Sequence, residues 1–199
     1  MFIELTEALR CPRAHAESYL VCVPALMDGR RVIRGGLGCP SCRSEFPIVE
    51  GVAWFAPPAG VPAPSAGETA LTAQALHTFL DLQGAGGYVL LVGGAGRHGP
   101  DLAALLPGVH VFGVNPPAGM APSVAFSILH SPHELPVKRA SMRGVVVGAD
   151  AAREPWLSAA ASTLLSGLRM VVEDADAAPP GIAVLARGAG ALVGEKRAR

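Results

Sequence analysis

The placement of cysteine constrains the fold most, because all four cysteines lie within the first 42 residues of a 199-residue chain. Cys39 and Cys42 form a C-x-x-C knuckle, and Cys11 and His15 form a C-x-x-x-H knuckle. A tight turn between paired donors lets both face one ion, and zinc takes four sulfur or nitrogen donors tetrahedrally. The spacing therefore predicts a Zn²⁺ site made by Cys11, His15, Cys39 and Cys42.

The segment between the knuckles predicts a β-hairpin. Residues 19–27 and 30–37 are strand-like and flank Asp28-Gly29, a favoured hairpin turn pair. Such a hairpin returns the second knuckle to the first. Cys22 lies in the middle of the first strand, which favours a buried free thiol, and its replacement of His15 as fourth ligand is the alternative.

Charge and hydropathy exclude some classes of protein. Half of the residues are hydrophobic, so the composition supports a globular core. The formal net charge is zero, so the composition lacks the excess of basic residues that is typical of nucleic-acid-binding domains. RNA binding through Arg30, Arg31, Arg34 and Arg43 stays an alternative, but nearby acids balance these arginines. The first residues lack a basic-then-apolar leader and no run of about 20 apolar residues occurs, so we expect a cytoplasmic protein without a membrane span.

The second part of the chain alternates between helical and strand patterns. Pro, Gly and Ala dominate 57–68, which predicts a linker between a zinc ribbon at 1–56 and an α/β domain at 69–199. Apolar strands separated by short helices indicate a mostly parallel sheet. The predicted helices are 69–82, 100–106 and 156–165, and the predicted strands are 88–92, 109–114, 124–129, 144–148, 168–173, 182–186 and 191–194.

The motifs LRCPRAH, GCPSC and EFPIVEGVAWF give residues 1–56 a family resemblance. They resemble the small zinc-ribbon family that includes the activator subunit of tRNA and protein methyltransferases. This resemblance implies a non-catalytic module that presents apolar surface to a methyltransferase-fold partner. The physical expectation agrees, because so small a ribbon cannot bury Phe46, Ile48, Val52, Trp54 and Phe55 by itself.

The motifs VLLVGGAG, GVNPP, HSPHELP and RGVVVGAD give residues 69–199 a second resemblance. Their order is similar to that of class I S-adenosylmethionine-dependent methyltransferases, which implies a truncated Rossmann-like domain. If the adenosyl site survives, Gly93, Gly94, Gly96 and Asn115 are its cofactor-binding residues.

Several positions depart from the methyltransferase pattern. In that family three acidic residues bind the cofactor, and the corresponding positions here are Leu91, Asn115 and Ser131. In addition, Ala95 replaces a glycine. Losing two such charge-assisted contacts costs roughly 3 kcal/mol or more. There is also no room for a crossover helix between Asn115 and Val124. We therefore doubt S-adenosylmethionine binding and assign no catalytic residue.

These observations favour a zinc-binding pseudoenzyme: a methyltransferase-like protein that acts as a scaffold or activator through protein contacts. Its partner would be another protein or a second copy, bound through apolar surface of the ribbon and the Rossmann-like domain. The alternative is an active S-adenosylmethionine-dependent methyltransferase with a built-in zinc ribbon, in which Asn115 still meets the ribose.

Overall fold

The computed structural model describes residues 1–57 and 71–197, so the predicted linker at 57–68 lies, apart from Pro57, outside the described residues. The described chain is an α/β structure built on one 11-stranded sheet. The strands are β1 (Val21–Asp28), β2 (Arg31–Gly38), β3 (Glu45–Val49), β4 (Val52–Trp54), β5 (Tyr88–Val92), β6 (His110–Val114), β7 (Phe126–His130), β8 (Gly144–Val147), β9 (Arg169–Val172), β10 (Ile182–Gly188) and β11 (Ala191–Lys196). The α-helices are α1 (Ala73–Leu80), α2 (Gly99–Leu105) and α3 (Trp156–Thr163).

The sheet has the strand order β1-β2-β3-β4-β7-β6-β5-β8-β9-β11-β10. Strands β7, β6, β5, β8 and β9 are parallel, and β11 and β10 form an antiparallel hairpin at one edge. Counted from β5, the order 3-2-1-4-5 is that of a doubly wound Rossmann sheet, in which ligands bind at the carboxyl ends of the strands. The predicted α/β, mostly parallel, Rossmann-like fold is confirmed.

The central strands are buried on both faces. In β5, Val89 and Leu91 pack with the apolar sides of α1 and α2, whereas Leu90 and Val92 belong to the core on the opposite face. Continuous apolar runs of this kind are what a sheet covered on both faces requires. None of the described helices is long and apolar enough to cross a membrane.

Most element boundaries agree with the sequence, and the differences have local causes. Helix α1 starts at Ala73, later than predicted, because the Thr72 side chain accepts a hydrogen bond from Ala75 N–H at 3.2 Å and caps the helix. Strand β7 starts at Phe126 because Val124 lies outside the sheet and is exposed. The stretch from Asn115 to Phe126 is fully described and contains no helix, as predicted.

Strands β1 to β4 join the later strands in a single sheet. Strand β4 pairs in parallel with β7, with Ala53 opposite Leu129, which makes the two parts one continuous sheet. A short 3₁₀ helix, Ile3–Ala8, contributes Leu5 to the core on the α3 face. Of the five apolar side chains expected to need a covering surface, Phe46, Ile48 and Phe55 are at most 6% exposed, and Val52 and Trp54 are partly buried.

Candidate metal centre and glycine-loop site

The hairpin of β1 and β2 brings the two knuckles together. Cys11 lies just beyond the N-terminal 3₁₀ helix, and its N–H donates to the Ser18 carbonyl at 2.9 Å. Cys39 follows β2 and accepts at its carbonyl from Arg43 N–H, closing the turn that carries Cys42. The sequence-predicted set of Cys11, His15, Cys39 and Cys42 is therefore assembled in one place.

Two distances between donor atoms of this cluster match the edges of a tetrahedral zinc site. All four lie within 4.8 Å of one another. Cys11 Sγ is 3.7 Å from Cys42 Sγ, and Cys39 Sγ is 3.6 Å from His15 Nε2. Zinc-ligand lengths of about 2.3 Å to sulfur and about 2.1 Å to nitrogen require edges of about 3.8 Å and about 3.6 Å. The residues present fit such an ion.

Hydrogen bonds around the cluster determine which nitrogen of His15 can bind a metal and lower the pKa of Cys42. His15 Nδ1 lies 2.6 Å from the Ala16 carbonyl, to which it must donate, so Nε2 is left as the ligand nitrogen. Hydrogen bonds from the Ser44 side chain and backbone lower the pKa of Cys42 to about 6. Burial raises the pKa of Cys11 to about 12, so a cation is needed for that sulfur to become a thiolate.

Cys22 lies outside the cluster. It is part of β1, opposite Leu37, and its half-buried thiol packs against the main core. Burial raises its pKa, as expected for a structural thiol. The geometry brings His15, and not Cys22, to the three other donors.

The glycine loop after β5 is closed by a carboxylate of the same chain. Residues Gly93–His98 form a 3₁₀ turn that leads into α2, with Gly93 at φ +64°. Gly94 N–H donates to Asp150 Oδ1 at 2.8 Å. A Cβ on Gly93 would lie 2.6 Å from the same carboxylate, so the loop backbone and Asp150 are in direct contact. Sequence reasoning missed Asp150, although it lies two residues beyond the end of the strand predicted at 144–148.

A buried ion pair holds the next turn of this loop. Arg97 donates to the Gly94 carbonyl at 2.7 Å and to Glu173 Oε1 at 2.5 Å. His98 Nε2 lies 3.4 Å from the same Glu173 oxygen. Burial of Glu173 opposes ionisation, but the interactions with His98 and Arg97 outweigh it and lower the pKa of Glu173. Arg97 thus ties the loop to the end of β9.

Asn115, which directly follows β6, is held by two hydrogen bonds of its side chain. Asn115 has φ +52°, its Nδ2 donates to the Ser131 carbonyl at 2.6 Å, and its Oδ1 accepts from Ser131 N–H at 2.8 Å. Pro116 packs so closely on Gly96 that a Cβ there would lie 2.5 Å from the proline ring. Leu91, at the first acidic position, is fully buried in the core.

Little space remains beside the glycine loop. The cavity there measures about 70 Å³ and is lined by Val92, Gly93, Asn115, Asp150, Ala151, Arg153 and Trp156. Pockets for drug-sized ligands occupy about 300 to 1,000 Å³. The cavity that Gly93 and Asn115 line in this conformation is therefore smaller than a pocket for an adenosyl cofactor.

Comparison with known proteins gives partial structural likenesses. No protein-family model and no curated protein matches the sequence. A Haloferax volcanii complex of the Trm112 methyltransferase activator with a methyltransferase has a TM-score of 0.42 at 20% identity, over 51% of this chain and 50% of that chain. The antibiotic-resistance methyltransferase Kmr has a TM-score of 0.43 at 15% identity, over 70% and 100% of the two chains.

An S-adenosylmethionine-dependent methyltransferase from Aquifex aeolicus has a TM-score of 0.45 at 16% identity, over 62% of this chain and 88% of that chain. This chain spans half the length of the Haloferax chain that it matches.

Proposed function

We propose that this chain is a zinc-binding, non-catalytic methyltransferase-like protein that acts through protein contacts. The observation that carries the proposal is the closed glycine loop, in which Asp150 takes the hydrogen bond of Gly94 that an incoming ligand would need. A cavity of about 70 Å³ next to that contact has no room for a nucleoside and an amino acid.

The metal supports the scaffold and not a reaction. With three thiolates and one imidazole, Cys11, His15, Cys39 and Cys42 would complete a tetrahedron and leave no open position, which is the arrangement of structural zinc sites. A site that needs its three cysteines as thiolates fits a reducing compartment, and a cytoplasmic location is part of this proposal. We expect one zinc per chain by atomic emission.

Titration calorimetry with S-adenosylmethionine tests the non-catalytic assignment. The full chain with its zinc bound should give no binding isotherm at micromolar concentrations of the cofactor. A thermal melt provides the second readout, since a ligand at one hundred times its dissociation constant stabilises a protein by about 2.7 kcal/mol. Micromolar binding together with such a stabilisation would overturn the proposal in favour of the alternative, an active methyltransferase.

A further inference from the structure

The zinc ribbon carries an apolar face that the rest of the described chain leaves uncovered. Val21 lies opposite Gly38 and Val23 opposite Gly36 in the β1–β2 pair. Gly36 in turn lies opposite Pro47 of β3. Because directly opposed residues share a face of the sheet, Val21 and Val23 form a ridge beside a floor of Gly36 and Gly38. We call this floor, bounded by β1 and β3, the glycine groove.

The ridge and groove are open to solvent and mostly apolar. Val21 is 46% exposed and Val23 is 67% exposed, and β1 is an edge strand of the sheet. The concave space over the groove measures about 710 Å³. A long apolar edge strand is a surface that soluble monomers usually shield. This face therefore has the character of an interface.

The monomer gives no steric reason for the glycine floor. Gly36 and Gly38 have no positive φ. A Cβ at Gly36 would lie 3.9 Å from its nearest neighbour, and one at Gly38 would lie 4.0 Å away. Gly35 differs, because a Cβ there would lie 2.6 Å from the Val23 carbonyl. The missing side chains at Gly36 and Gly38 keep the groove empty without helping the monomer fold.

Charges on the groove favour self-association. Arg34 and Glu45 both line it, and neither forms an ion pair with another residue of the described ranges. Two copies of this face would therefore bring opposite charges together as well as apolar surfaces. A face that contains both a ridge and a neighbouring groove is self-complementary under a two-fold rotation.

We propose that the glycine groove of one copy receives the Val21–Val23 ridge of a second copy, so that the protein forms a two-fold dimer through its zinc ribbons. This dimer rests on the proposed function, in which the protein acts through protein–protein contacts, and its partner is a second copy of the same chain. The groove lies over β1, β2 and β3, whereas β4 is the strand that pairs with β7, so the described part of the C-terminal sheet does not use these three strands for pairing.

The size of the face indicates a weak dimer. Three strands spaced about 4.8 Å apart and about five residues long cover roughly 14 by 17 Å. Standard stable interfaces bury about 800 Å² on each partner, which is more than a face of this size provides. We therefore expect a monomer–dimer equilibrium that depends on protein concentration.

Sedimentation equilibrium of the full zinc-bound chain over a wide range of protein concentrations tests the dimer. Val23→Asp places a charge on the ridge, and Gly36→Leu fills the groove with a side chain whose Cβ would lie 3.9 Å from its nearest neighbour in the monomer. Each variant should raise the dimer dissociation constant about tenfold or more. The aspartate would bury an unpaired charge in the interface, and the leucine would clash with the ridge of the second copy. Leu185→Asp is the matched control, since Leu185 is 52% exposed on β10, the opposite edge strand.

Several outcomes would overturn the dimer. The first is a wild-type chain that is monomeric at every concentration. The second is a Val23→Asp or Gly36→Leu variant with the dimer dissociation constant of wild type. The third is a Leu185→Asp variant whose dissociation constant rises as much as theirs. Zinc content and far-UV circular dichroism establish that each variant is folded. Cofactor calorimetry on the same samples separates the two proposals: a monomer that binds no S-adenosylmethionine overturns the dimer alone, and a dimer that binds it overturns the non-catalytic function alone.

Discussion

At the carboxyl edge of the sheet, where Rossmann-like folds bind ligands, two polar side chains form hydrogen bonds with the backbone of the same chain. Asp150 accepts from the Gly94 backbone, and Asn115 exchanges two hydrogen bonds with the Ser131 backbone. Both atoms of the Asn115 amide are thereby used, and its positive φ is maintained by this pairing. The edge is closed by specific contacts that mutation can remove.

Zinc content distinguishes the two candidates for the fourth metal ligand. His15→Ala should lower zinc well below one per chain, because His15 Nε2 lies 3.6 Å from Cys39 Sγ at the corner of the tetrahedron. Cys22→Ala should keep zinc at the wild-type level, since Cys22 lies in β1 outside the cluster. Atomic emission after gel filtration measures both. Loss of zinc from the Cys22 variant alone would reverse the assignment.

The carboxylate of Glu173 should be important for stability. Its side chain is fully buried, and Arg97 contacts it at 2.5 Å. Glu173→Gln keeps the shape but leaves Arg97 without its counter-charge, which we expect to lower the free energy of unfolding by about 3 kcal/mol. Urea denaturation at pH 7 measures this. A loss of less than about 0.5 kcal/mol, typical of surface sites, would contradict it.

His110 should make the protein sensitive to acid. Burial, followed by the nearby amino-terminal ammonium group, lowers the pKa of His110 to about 4. The unfolded imidazole has a pKa of about 6.5, so below this pH the unfolded state binds more protons and stability falls as pH falls toward 4. The expected loss between pH 7.5 and pH 5 is about 2 kcal/mol.

The variant His110→Phe isolates this contribution. It keeps a ring against Phe2, whose centroid lies 4.4 Å from that of His110 and stacks on it, but it cannot titrate. Its unfolding free energy should therefore fall less between pH 7.5 and pH 5 than that of wild type. Equal pH dependence in the two proteins would mean that His110 does not carry the effect.

Among the elements, those with a local signal could be predicted and those made by distant contacts could not. Strand β5 could be predicted because five consecutive residues with large apolar side chains, Tyr88–Val92, run directly into glycines. The knuckles could also be predicted, since each pair of ligands is close in sequence. In contrast, the pairing of β4 with β7 joins Val52 to Ile128, and no local pattern specifies a contact across such a separation.

No helix lies between β7 and β8, and the N-terminal 3₁₀ helix packs on the sheet there instead. Leu9 bridges to Val137 in the segment between β7 and β8, and Tyr88 Oη donates toward the Glu4 carbonyl at 2.8 Å. Leu5 is fully buried in the same core. The ribbon therefore supplies packing that the shortened C-terminal part needs.

Truncation of Leu5 tests this packing role. Leu5→Ala should lower the free energy of unfolding by about 3 kcal/mol, because it removes a buried side chain and leaves a cavity. Leu185→Ala makes the same chemical change at a residue that is 52% exposed and should cost less than about 0.5 kcal/mol. Urea denaturation of both variants measures the difference, and similar losses would show that the 3₁₀ helix is not part of the core.

At the scale of the whole molecule, the continuous sheet predicts that metal and fold are coupled throughout the described chain. The hairpin that carries Cys39 is joined through β3 and β4 to β7, so loosening the ribbon also removes a neighbour of the parallel strands. The chain has two tryptophans: Trp54 in β4, which packs on His130 of β7 and reports on the junction of the halves, and Trp156 in α3, which reports on the second half. Single-tryptophan variants can therefore follow each half.

Removal of zinc should destabilise both halves together. In Trp54→Phe and Trp156→Phe proteins treated with a chelator, the urea transitions should shift to lower concentration by the same amount, corresponding to at least about 3 kcal/mol. Structural zinc contributes on the order of 10 kcal/mol in isolated fingers, and here the loss is transmitted through the β4–β7 pair. If the remaining Trp156 reports an unchanged transition while Trp54 reports unfolding, the ribbon is an independent unit and the shared sheet does not couple them.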